Sequence, residues 1–112
     1  MKEGDIVLIR LPQTGGGALK LRPALVLSLL PGPYQNALLC GVSTRLLNLE
    51  KDWDELIEPS DAEFANSGLH RASSIRLSFL YAADASEITG TIGSVDPARL
   101  ARLRTRLAKH LS

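Results

Sequence analysis

The chain has 112 residues, of which 45% are hydrophobic and 22% charged, and its formal net charge is +1. This length predicts one small domain, spanning residues 1–112, and the near-neutral total argues against a non-specific coat for nucleic acids. The charge is divided along the chain, because residues 1–50 carry +2, residues 51–70 carry −5 and residues 71–112 carry +4. Local basic patches are therefore compatible with this sequence.

The single cysteine, Cys40, lies in an apolar segment and is interpreted as a core residue. It cannot form an intramolecular disulfide, which suits a reducing cytoplasm. The first residues have no signal-peptide pattern, and no apolar run approaches the ~20 residues of a membrane span. We therefore expect a cytoplasmic protein without a membrane partner.

The first half of the chain predicts three strands. Gly4–Arg10 is rich in β-branched residues, and a glycine-rich connection follows it, which we expect to be a mobile hairpin loop. Leu25–Leu30 is too apolar for a half-solvated strand, so burial on both faces is predicted, with Pro23 marking its start. Ala37–Thr44 is the third strand and ends in two hydroxyls.

The second half predicts a weak strand at Glu55–Glu58, a helix through Asn66, two further strands and a final helix. Ser60 and Glu63 have capping-box spacing, and Gly68 is expected to end that helix. Asp96 and Pro97 are typical of the first positions of a helix. The two later strands are Ser73–Tyr81, in which Ile75, Leu77, Phe79 and Tyr81 alternate onto one face, and Glu87–Ile92.

The last helix has an apolar stripe and an opposite basic face, which is typical of a helix packed on a core. The stripe is formed by Leu100, Leu103, Leu107 and Leu111, and the basic face by Arg99, Arg102, Arg106 and Lys109. A solvated face is the simpler interpretation of those cations, and a nucleic-acid contact is the alternative. Likewise, the acidic segment 52–63 is either a solvated loop or a screen that repels RNA.

Short strands followed by one terminal helix predict a mainly β fold, a small and strongly curved barrel with helical additions. The sequence contains no metal-ligand spacing, phosphate-binding loop or cysteine–histidine arrangement, so no metal or cofactor is expected. What remains is a set of groups at strand ends: Arg22, Ser43, Thr44, Arg76 and Ser78.

Five short motifs in order resemble the MazF/PemK-type toxin endoribonucleases of type II toxin–antitoxin systems. They are Gly4-Asp5-Ile6-Val7, Lys20-Leu21-Arg22-Pro23-Ala24-Leu25-Val26-Leu27, Val42-Ser43-Thr44-Arg45, Ser67-Gly68-Leu69 before Ser74-Ile75-Arg76-Leu77, and Ile92-Gly93. The resemblance implies an SH3-like barrel of the MazF/PemK/CcdB type with a C-terminal amphipathic helix. It also implies a homodimer that cuts single-stranded RNA (mRNA) sequence-selectively and without metal, and that binds an antitoxin.

The resemblance also implies a set of site residues. The family's strand-two arginine corresponds to Arg22, its strand-three hydroxyl to Ser43 or Thr44, and an arginine of the fifth-strand region to Arg76, with Ser78 beside it. Arginines suit the charge that builds on the phosphoryl oxygens during cleavage. The groups expected to bind RNA are Gln13, Thr14, Gly15, Gly16, Gly17, Lys20 and Arg45.

The sequence leaves the general base open: Ser78 suffices with a nearby arginine, a carboxylate from elsewhere in the chain serves, or the activity is weak. Some members of the family carry an acidic residue where this chain has Ser78. An arginine does not easily replace it as a base, because its guanidinium group stays protonated. His70 lies six residues from Arg76, ~20 Å in an extended chain, and would reach the same site only if the segment turned back. The alternative function is that of a non-catalytic toxin on the same barrel, either a gyrase inhibitor or an RNA binder. A third possibility is a structural barrel whose arginines are only solvated.

Overall fold

The computed structural model describes residues 1–12 and 19–112. Its elements are β1 (Asp5–Pro12), β2 (Leu19–Leu29), β3 (Ala37–Ser43), β4 (Glu55–Ile57), α1 (Phe64–Ser67), β5 (Ser73–Ala83), a 3₁₀ turn at Ala85–Glu87, β6 (Ile88–Ser94) and α2 (Pro97–Leu111). The six strands form one antiparallel sheet in the order β4-β5-β3-β2-β1-β6. The mainly β, barrel-like architecture with a C-terminal helix confirms the predicted fold class. Within the described ranges, no helix is long and apolar enough to cross a membrane.

The central strands are buried on both faces, as predicted for β2. Leu25 and Leu27 belong to the core cluster that also contains Leu103 of α2, whereas Ala24 and Val26 belong to a second cluster on the other side of the sheet. Cys40 is fully buried in the first cluster, which confirms its interpretation as a core residue.

Pro23 lies inside β2 and does not begin it, so that prediction was wrong. It is paired with Leu8 of β1, and β2 extends back to Leu19. The pairing of β2 with β3 starts only at Ala24. Pro23 therefore has a paired strand on one side alone, an edge-like position of the kind in which proline is tolerated within a sheet.

The predicted alternation of β5 is interrupted. Ile75 and Leu77 are buried in the core, but Phe79 is 54% exposed and Tyr81 packs on the second cluster. The cause is a register shift against β3, between Cys40 and the next residue, which adds unpaired residues to β5. Such a bulge changes the face to which later side chains point.

The predicted capping box does not form. Helix α1 has Glu63 at its N-cap without a side-chain cap bond. The Glu63 carboxylate instead accepts hydrogen bonds from Asp96 N and Arg99 Nε. Gly68 does end the helix, with a left-handed φ of 75°, as expected.

Part of the acidic segment pairs with the basic helix face, so the expectation that both are simply solvated was wrong for these residues. Glu55 accepts charged hydrogen bonds from three arginines of α2 at 2.8–2.9 Å: Arg99, Arg102 and Arg106. Arg99 is 6% exposed and also contacts Asp61 and Glu63. Opposite charges that are distant in sequence therefore attach α2 to the β4 region.

Candidate active site

A cavity of about 520 Å³ opens at the end of the sheet where β2 and β3 diverge. Its polar lining consists of Arg22, Ser43, Thr44, His70, Arg71 and Ser73. Leu8, Val42, Leu69 and Ile92 form much of its apolar wall. Three of the predicted catalytic residues, Arg22, Ser43 and Thr44, therefore share one cavity.

Strand register explains why these three residues meet. The last pair between β2 and β3 is Ala24 with Gly41, so continuing that register by two residues sets Arg22 opposite Ser43. On the other side of β3, Ser43 pairs with Ser74 of β5. The pairing of β3 with β2 and with β5 thus brings Arg22, Ser43 and Ser74 to the same end of the sheet.

The two strand-three hydroxyls differ in what they already bind. Ser43 Oγ accepts the backbone N–H of Arg45 at 3.0 Å and so caps the turn after β3. Thr44 is exposed, and its hydroxyl makes no hydrogen bond to the residues that the structure describes. Ser43 still has its hydroxyl proton to donate, so both hydroxyls that the sequence singled out stay candidates for contact with a ligand.

The segment between α1 and β5 brings His70 and Arg71 to the cavity. A Cβ added to Gly68 would lie 2.1 Å from the Ile92 carbonyl oxygen, so the turn sits directly on the backbone of β6. Ser67 Oγ accepts the backbone N–H of Leu69 at 3.1 Å. At the far end, Ser73 Oγ donates to the Arg71 carbonyl at 2.9 Å.

The charge around the cavity is positive. Arg22, Arg45 and Arg71 make no ion pair with a described residue, whereas the arginines that do are Arg76, Arg99, Arg102, Arg104 and Arg106. The described lining includes two guanidinium groups and no carboxylate. Such a site favours an anionic ligand, and guanidinium forks match phosphate oxygens well.

Arg76, another of the predicted catalytic residues, is not among the described residues that line this cavity. Its guanidinium donates to the backbone carbonyls of Arg45, Leu47 and Asn48 at 2.9–3.0 Å and lies 3.6 Å from a carboxylate oxygen of Asp54. The donors that would contact a phosphate are therefore occupied by the β3–β4 connection. Arg76 holds that connection in place.

Ser78 is also separate from the cavity. Its hydroxyl donates to the Asp54 carboxylate at 2.8 Å, and its backbone N–H donates to the same oxygen at 3.0 Å. The Asp54 side chain has no exposed surface. Ser78 thus fixes the same connection as Arg76.

The residues expected to bind substrate have three different outcomes. Gln13, Thr14, Gly15, Gly16 and Gly17 lie outside the described residues. Lys20 is exposed on β2, opposite Leu11, and is not in the cavity lining. Arg45 is exposed next to Thr44 and also lies beyond the lining.

Sequence reasoning did not identify Arg71 and Ser73 as neighbours of Arg22. It placed His70 near the other groups only if its segment turned back, and the segment does turn back. The signal that could have placed the segment is Gly68, because a left-handed residue before a strand reverses the chain locally. Residues 68–72 are indeed outside any strand, and β5 begins only at Ser73.

The sequence matches one known protein family over nearly its whole length. The profile of a family described as PemK-like, MazF-like toxins of type II toxin–antitoxin systems matches residues 2–111. No curated protein sequence matches the chain.

Several solved structures are similar in fold. The Mycobacterium tuberculosis toxin MazF-mt6 is 16% identical with a TM-score of 0.69, and 96% of this chain and 95% of that one are covered. An endoribonuclease in complex with its cognate antitoxin from a mycobacterial species is 16% identical with a TM-score of 0.63, covering 99% and 94%. MazE–MazF (form III) from Deinococcus radiodurans is 24% identical with a TM-score of 0.67, covering 99% and 95%.

Proposed function

This chain belongs to the family of PemK-like, MazF-like toxins of type II toxin–antitoxin systems, and we propose that it is an endoribonuclease that cleaves single-stranded RNA. Endoribonuclease activity is known in this family. The observation that carries the proposal is the cavity in which Arg22 and Thr44 meet, lined by guanidinium groups without a carboxylate. A phosphodiester is the anionic ligand that such a lining suits.

The proposed reaction is attack of a ribose 2′-hydroxyl on the adjacent phosphorus. The bond from the 2′-oxygen to phosphorus forms, the bond from phosphorus to the 5′-oxygen breaks, and the products carry a 2′,3′-cyclic phosphate and a 5′-hydroxyl. Arg22 binds the phosphoryl oxygens and stabilises the charge that develops on them, and Arg71 adds a second guanidinium. The Thr44 hydroxyl orients one of these oxygens. Guanidinium groups carry the charge stabilisation, so the proposed reaction is metal-independent.

We propose an antitoxin as the protein partner and a homodimer as the assembly. Two of the similar structures contain an antitoxin with the toxin. An acidic antitoxin segment that covers the cavity would compete with RNA for Arg22 and Arg71, because both are exposed. Base selection for a particular RNA sequence would depend on contacts to unstacked bases outside the phosphate site.

The proposal is tested by incubating the purified protein with a long single-stranded RNA and EDTA. Wild type should produce discrete fragments ending in 2′,3′-cyclic phosphate, and Arg22→Ala should lower the rate by ~10²-fold or more. Arg104→Ala is the matched control, since Arg104 is an exposed arginine of α2 that contacts Glu3, outside the cavity. Intact RNA with wild type, while RNA is still bound, would favour a non-catalytic binding toxin instead.

A further inference from the structure

The proposed reaction needs a group that removes the proton of the attacking 2′-hydroxyl, and arginine with a pKa above ~12 is unsuited to this. Among the described lining residues, the ionisable groups are Arg22, His70 and Arg71. The undescribed residues 13–18, Gln-Thr-Gly-Gly-Gly-Ala, contain no ionisable side chain. We propose that His70 is the general base of the reaction, an inference that rests on the proposed endoribonuclease function.

The backbone around His70 is held on both sides. Before it, Gly68 packs on β6 so closely that a Cβ would overlap the Ile92 carbonyl, and the facing Gly93 would place a Cβ 2.3 Å from the Ser67 carbonyl carbon. After it, Ser73 binds the Arg71 carbonyl. The exposed His70 therefore lies on an anchored turn that lines the same cavity as Arg22 and Thr44. An anchored backbone restricts the positions that its imidazole can reach, which favours general-base catalysis.

The charged neighbours of His70 in the cavity are Arg22 from β2 and Arg71 from its own segment. The other elements that line the cavity contribute uncharged groups: Leu8 from β1, Val42, Ser43 and Thr44 at the end of β3, Ser73 from β5 and Ile92 from β6. No carboxylate of the described lining competes with the imidazole for the proton of the substrate.

In the proposed step, the neutral imidazole nitrogen takes the 2′-hydroxyl proton as the 2′-oxygen bonds to phosphorus. The phosphoryl charge is held by Arg22 and Arg71, and the bond to the 5′-oxygen then breaks. The resulting imidazolium returns its proton to solvent, or to the departing 5′-oxygen, which restores the enzyme. No oxidant, reductant or further reactant is needed.

The test measures single-turnover cleavage of an RNA oligonucleotide by wild type and His70→Gln between pH 5 and 9. Wild type should show a rate that rises with pH and then levels off once the general base is fully deprotonated. His70→Gln should be slower by about 10²- to 10⁴-fold and should lose this levelling. Binding of a 2′-O-methyl RNA and the unfolding midpoint should change little, because His70 is exposed.

His110→Gln is the matched control, since His110 stacks on Trp53 with ring centroids 4.0 Å apart and is not in the cavity lining. It should keep the wild-type rate and pH profile. If His70→Gln also kept both while wild type cleaved RNA, the inference would be overturned and the endoribonuclease proposal would stand. If wild type did not cleave, the endoribonuclease proposal itself would fail.

A second substrate separates a base from an acid. In an RNA whose 5′-bridging oxygen is replaced by sulfur, the leaving thiolate needs no protonation. His70→Gln should remain impaired on this substrate, because the 2′-hydroxyl must still lose its proton. Recovery to the wild-type rate would overturn the assignment as base and would make His70 the acid that protonates the leaving group.

Discussion

Replacement of Arg99 by methionine tests the attachment of α2 most directly. Arg99 Nη1 donates to Glu55 at 2.8 Å and to the Leu56 carbonyl at 3.0 Å, Nε donates to Glu63 at 3.0 Å, and Nη2 lies 3.4 Å from Asp61. Methionine has similar length but no donor, so the carbonyl and the carboxylates lose this partner. Removal of one member of a buried charge cluster costs ~3–5 kcal/mol.

The expected loss for Arg99→Met lies at the lower end, at about 3 kcal/mol, because Glu55 keeps two other arginines and Asp61 is 37% exposed. Glu63, 16% exposed, loses its only ion pair among the described residues. The unfolding temperature should fall by roughly 12 °C, taking about 4 °C per kcal/mol.

Arg102→Met is the matched control. Its side chain is 50% exposed and its only described ion pair is with Glu55, so a loss of no more than ~1 kcal/mol is expected. Urea unfolding of both variants, with an unchanged dependence on denaturant, supplies the free energies. Equal losses for Arg99→Met and Arg102→Met would refute the argument that burial of this cluster, and not the count of ion pairs, decides its contribution.

Three other outcomes follow from particular contacts. Gly68→Ala and Gly93→Ala should each lower the free energy of unfolding in urea by roughly 3 kcal/mol or more, since an added Cβ would overlap facing backbone at 2.1 and 2.3 Å. Gly90→Ala is the control and should lower it by less than ~1 kcal/mol, because nothing lies within 4 Å of its added Cβ. Equal losses for the three variants would contradict the close-packing argument. Burial opposes ionisation of Glu55, but its arginine partners outweigh this and lower its pKa below 4.5. The contribution of Glu55 to the free energy of unfolding is therefore present above pH 4.5 and is lost as the pH falls through its lowered pKa in the folded protein. In urea unfolding measured from pH 3 to 7, Glu55→Gln should lose less stability on acidification than wild type. An unchanged dependence of stability on pH would contradict this. Burial raises the pKa of Cys40 to about 12, so a thiol reagent at pH 8 should label the protein rapidly only after unfolding in urea, and rapid native labelling would be inconsistent with this.

Features encoded within a few residues were predictable. Asp96 caps α2 with its side chain on the Ala98 N–H, and Pro97 occupies the first turn, as the sequence pattern indicated. The apolar run of β2 is buried on both faces. Arg22 and the hydroxyls at the end of β3 were singled out from the residues and the family motifs, and the structure places them at one cavity.

The composition of the cavity could not be derived in this way. Arg76 and Arg71 lie five residues apart in the same stretch, yet only Arg71 reaches the cavity, while Arg76 binds backbone carbonyls of the β3–β4 connection. That choice depends on the register of β5 against β3 and on the turn at Gly68 that packs against Gly93. Both are pairings between residues far apart in the chain.

The sequence by itself therefore determined most of the elements, the doubly buried strand and the family, because hydrophobic period, caps and short motifs act within a few residues. Only the tertiary structure decided which cations are neutralised and which face the cavity. Charge pairing across 36–47 residues of chain, as between α2 and the acidic segment, leaves no local pattern. The exposed arginines and His70 line one cavity only because strand register and the turn at Gly68 bring them together.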